Sequence, residues 1–66
     1  MNNMIDELVE QCVNAYNVCA DYMNKQSLAL IEKNHRSKIM QECVHHDVDF
    51  IPYLRKYETK TRTGIE

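Results

Sequence analysis

The chain has 66 residues, of which 44% are hydrophobic, and its eight basic and ten acidic side chains give a formal net charge of −2. This length allows one small domain, whose core leaves little net stability once chain entropy is subtracted. The near-neutral charge argues against an extended nucleic-acid-binding face. No run of about 18 apolar residues is present to cross a membrane.

The three cysteines predict free thiols rather than disulfides. Their number is odd, and the first residues lack the basic and apolar parts of a secretory signal. We therefore expect a reducing cytoplasm, in which Cys12, Cys19 and Cys43 remain thiols.

Apolar residues at alternating steps of three and four predict a first helix over about residues 3–24. This a/d heptad stripe consists of Ile5, Leu8, Cys12, Ala15, Cys19 and Tyr22. Val9, Tyr16 and Met23 lie one position further on and widen the stripe. A stripe of this width predicts burial against more than one partner helix.

A short connector then leads to a predicted second helix over about residues 28–50, with Ser27 as its N-cap. The chain has a single Gly and a single Pro, and such a scarcity of turn formers favours long helices. The polar stretch 33–38 is compatible with helix or with a break.

Pro52 limits how far the second helix can continue. It lacks an N–H group and crowds the carbonyl four residues back, so it kinks a helix or ends it near Ile51. Alternatively, Asp49 caps a new short helix that tolerates Pro52 in its first turn. We predict a short helical turn over about 50–58 and a loose tail over 59–66.

Together these segments predict an all-α protein with a single domain over residues 1–58. Two helices joined by a short connector form an antiparallel helical hairpin, and a second copy would complete a four-helix bundle as a homodimer. The residues predicted to form the oligomer or partner interface are Ile5, Leu8, Val9, Cys12, Tyr16, Cys19, Tyr22 and Met23.

Cysteine and histidine also suggest a metal site for copper or zinc. Cys43 and His46 are three residues apart and can reach one point on a helix, where Cys19 or Cys12 would complete the site. Cys12 and Cys19 cannot share an ion, because seven residues of helix separate them by about 10.5 Å. Both are also compatible with simple core packing.

The stretch from Leu8 to Tyr22 carries Cys12 and Cys19, with Ala15 and Tyr22 at the intervening sites. It resembles the cysteine-bearing helix of four-helix-bundle proteins of the copper-storage type (Csp-like), in which cysteines recur at steps of three and four. The resemblance implies a helical bundle for this chain.

A second stretch, from Cys43 to Leu54, is similar to the Cys-x-x-x-Asp-x-Asp-Cys pattern of the same family. Phe50 and Leu54 stand where cysteines would be expected. Copper storage in that family relies on thiolates paired one helical turn apart, and this sequence has no such pair. The resemblance therefore implies the bundle without the copper load.

No enzyme signature is present: a single Gly cannot build a phosphate loop, and no nucleophile motif occurs. The leading hypothesis is a non-enzymatic oligomerising protein-interaction module that binds itself and can block or scaffold a larger protein. The alternative is a Cu(I)- or Zn-binding helical bundle that uses Cys43, His46 and a helix-one cysteine. Nucleic acid is not an expected partner.

Overall fold

The computed structural model describes residues 3–61, which form three α-helices and no β-strand. α1 spans Asn3–Cys19, α2 spans Lys25–His45 and α3 spans Ile51–Lys60. The predicted all-α class is therefore confirmed. Across residues 3–61, no helix combines the length and the apolar character needed to cross a membrane.

α1 ends at Cys19 rather than at the predicted residue 24. The N–H groups of Tyr22 and Met23 both bond to the carbonyl of Cys19, at 3.0 and 2.9 Å, which closes a tight turn. Asn24 follows with extended backbone angles (φ −77°, ψ 172°) and caps α2. The apolar periodicity of the sequence continues past Cys19, but the helix ends there. The turn after Cys19 and the extended backbone of Asn24 redirect the chain into α2.

The N-cap of α2 is Asn24, not Ser27 as predicted. The Asn24 side-chain oxygen accepts a hydrogen bond from the Ser27 backbone N–H at 2.9 Å. α2 therefore begins at Lys25, three residues before its predicted start. Ser27 takes part in the cap through its backbone instead of its hydroxyl.

The polar stretch 33–38 is helical. Arg36 lies 3.5 Å from Glu32 on the same helix and 2.5 Å from Glu58 on α3. His35 shares a hydrogen bond with the Tyr57 hydroxyl at 2.9 Å. His35 and Arg36 thus have partners on α3, which favours the helical conformation over a break.

α2 ends at His45, five residues before the predicted end, in a Schellman-type turn. The N–H of Asp47 bonds to the carbonyl of Val44 at 3.1 Å, and the N–H of Val48 bonds to the carbonyl of Cys43 at 2.9 Å. Asp47 supplies the left-handed residue that this motif needs, with φ 59°. The sequence lacks a Gly here, but Asp tolerates this conformation better than most residues.

α3 follows the alternative in which Asp49 starts a new helix. The Asp49 carboxylate accepts a hydrogen bond from the Ile51 N–H at 3.1 Å, and Pro52 lies in the first turn. Phe50, rather than Asp49, occupies the N-cap position itself.

α3 is longer than predicted, because Thr59 and Lys60 are helical and were assigned to the tail. Thr61 is 1% exposed, and its hydroxyl donates to the carbonyl of Tyr57 at 2.8 Å. The folded part of the chain thus extends past residue 58. The rest of the predicted tail, residues 62–66, lies outside the described residues.

The core lies where the three helices meet. α1 packs against both α2 and α3. The buried cluster consists of Ile5, Val9, Cys12, Val13, Ile39, Cys43, Leu54 and Tyr57. α3 therefore covers part of the α1 stripe that we had expected a second copy to cover.

Ion pairs join the acidic first helix to the basic third helix. Lys60 lies 2.6 Å from Glu10, and Lys56 lies 3.6 Å from Asp6 and 3.7 Å from Glu10. The hydrogen bond from Lys60 lowers the pKa of Glu10. Exposed pairs of this kind contribute little stability, but they favour one placement of α3 along α1.

Candidate functional site

The residues predicted to form an interface fall into two groups. Ile5, Val9, Cys12 and Tyr16 are at most 7% exposed, and the chain's own helices bury them. The remainder are partly or largely accessible: Leu8, Cys19, Tyr22 and Met23. Tyr22 is 85% exposed in the turn after α1. Four of the eight residues predicted to form the interface are therefore core residues of a single chain.

The three predicted metal ligands do not assemble into a site. Cys43 is fully buried in the core cluster, whereas Cys19 lies at the end of α1. His46 caps α2, with its Nε2 atom 3.6 Å from Glu42. Among residues 3–61, no group of three or more His, Cys, Asp or Glu side chains is placed to hold an ion.

The buried thiols are in surroundings that keep them protonated. Burial raises the pKa of Cys12, and the opposing effect of Lys38 is smaller. Burial also raises the pKa of Cys43, with Asp49 and Glu42 adding to the shift. Because the thiolate is the nucleophile and the metal ligand, both side chains are suited to packing rather than to chemistry.

A partly buried cluster of polar and aromatic side chains lies where α1, α2 and α3 meet. Tyr57 is 0% exposed, and its ring makes edge contacts with Tyr16 and His35, at centroid distances of 6.3 and 5.6 Å. Burial raises the pKa of Tyr57 and lowers that of His35. The Tyr57 hydroxyl and the His35 imidazole form a hydrogen bond with each other inside the molecule, which indicates a structural role.

The main feature that the sequence reasoning missed is an exposed apolar face on α2. We call it the outer face; its residues are Leu30, Ser37, Met40, Gln41 and Val44. The exposed fractions of its large apolar side chains are 65% for Leu30, 36% for Met40 and 67% for Val44. Ser37, Met40, Gln41, Val44 and His45 line a shallow, open depression.

The signal for the outer face was present in the sequence. Residues 30, 37 and 44 recur every seven positions, which places them on one side of a helix. That side lies opposite Ile39 and Cys43, which are both 0% exposed. An apolar stripe was predicted only for the first helix, so this second stripe was overlooked.

Charge is unevenly distributed along α2 and the turn that follows. Residues 25–38 contain four basic side chains and one acidic side chain. Residues 39–49 contain three acidic side chains and no Lys or Arg. The charge of this segment therefore changes from basic to acidic along the sequence, although Lys38 and Glu42 lie on the side of α2 that faces α1.

A second depression lies between α1 and α2. It is lined by Met4, Glu7, Leu8, Gln11, Lys38 and Glu42. Met4 is 68% exposed, but most of the other lining side chains are polar or charged. This groove is less apolar than the outer face.

Comparison with known proteins gives no relative for this chain. No family model matches it, and neither a curated protein nor a solved structure does so at the significance required. The resemblance to the copper-storage bundles therefore stays a prediction, and the function has to be argued from the geometry.

Proposed function

We propose that this protein is a non-enzymatic protein-interaction module that self-associates into a homodimer. The observation that carries the proposal is the outer face of α2, with Leu30 and Val44 each about two-thirds exposed. The helix has 21 residues, so at 1.5 Å per residue it extends for about 31 Å, close to the 34 Å length of the whole molecule.

Self-association would remove the apolar side chains of the outer face from water, which is favourable in free energy. Met40 and Val44 lie one helical turn apart, and exposed apolar side chains that are grouped in this way favour an interaction site. A chain of 66 residues also gains from a partner, because its own core is small. The interface in this proposal differs from the one predicted from sequence, since it uses the back of α2 instead of the stripe on α1.

The proposal is tested by light scattering after size-exclusion chromatography at micromolar concentration. We expect the wild-type protein to elute as a dimer. Val44→Glu should elute as a monomer with unchanged helical circular dichroism, because it places a charge in the apolar contact. Asn14→Glu, on the exposed side of α1, is the matched control and should remain dimeric.

A folded wild-type monomer under these conditions would refute self-association. Loss of helical signal in Val44→Glu would mean that the variant reports on folding; Val44→Ser, a milder change, then takes its place, with dissociation of the dimer again expected.

A further inference from the structure

We draw no further inference here: the strongest candidate, the exposed apolar face of α2, belongs to the interface already proposed, and nothing in the structure shows in which orientation a second copy would cover it.

Discussion

His35 connects α2 to α3 through a hydrogen bond to Tyr57. It lies within the polar stretch of α2, and its Nδ1 atom is 2.9 Å from the hydroxyl of the buried Tyr57 on α3. Burial, aided by Lys38, lowers the pKa of His35. The folded state therefore disfavours a protonated imidazole, and stability becomes coupled to pH.

We predict that the free energy of unfolding falls as the pH drops below about 6.5, the ordinary pKa of His in an unfolded chain. The unfolded chain takes up a proton there, whereas folded His35, with its lowered pKa, does not. The contribution of His35 to the free energy of unfolding is therefore complete above about pH 6.5, and it decreases as the pH falls toward the folded-state pKa of His35. Urea denaturation at a series of pH values measures the effect.

Two substitutions identify the titrating residue. His35→Gln should remove the loss of stability that begins below about pH 6.5, whereas His45→Gln, at an exposed position, should retain it. The lowered pKa of Glu10 acts in a separate window, near and below its ordinary value of 4.5. An unchanged pH profile in His35→Gln would show that another group is responsible.

At the scale of elements, the junction between α1 and α2 depends on Asn24. Its side chain satisfies the Ser27 N–H at the start of α2, while its extended backbone ends the preceding turn. The first turn of α2 has no acidic residue to interact with the helix dipole. The cap is therefore the main local signal that starts this helix.

Asn24→Ala should lower the free energy of unfolding by about 1 kcal/mol, because the cap hydrogen bond is lost. Asn34→Ala is the matched control: Asn34 is exposed inside α2, where Ala has the higher helix propensity. That variant should be neutral or slightly more stable. Chemical denaturation of both variants measures the difference, and equal stabilities would contradict the role assigned to the cap.

For the molecule as a whole, α3 is part of the core and not an appendage. Leu54 and Tyr57 are 8% and 0% exposed in the buried cluster. Lys56 and Lys60 pair with acidic residues of α1. One chain thus assembles three helices around the α1 stripe and leaves Leu30 and Val44 of the outer face exposed.

Leu54→Ala should destabilise the whole fold by about 2–3 kcal/mol, through lost apolar burial and the cavity that remains. Ile51→Ala on the same helix is the control; Ile51 is 49% exposed, so its loss should cost less than about 1 kcal/mol. Thermal unfolding followed by circular dichroism, at one fixed protein concentration, compares them. Equal effects would mean that α3 does not contribute to the core as described.

The sequence by itself determined the all-α class and the direction of the α1 core face. The periodic stripe showed that Ile5, Val9, Cys12 and Tyr16 share an apolar face. These residues were predicted to form an interface with a partner, whereas they are buried within the single chain. The start of α3 at Ile51 agrees with the helical turn predicted from about residue 50, and the alternative with Asp49 accounts for the contact before Pro52. The ends of α1 and α2 were missed, since both depend on which turn the backbone adopts.

Only the tertiary structure decided what covers the α1 stripe and what remains exposed. Periodicity shows that a face is apolar, but burial depends on which helix reaches it, and α3 reaches α1 within the same chain. Likewise, spacing permitted Cys43 and His46 to share an ion, and packing placed Cys43 in the core instead. Which apolar side chains stay exposed, with Val44 on α2 and Tyr22 after α1 among them, follows from this packing.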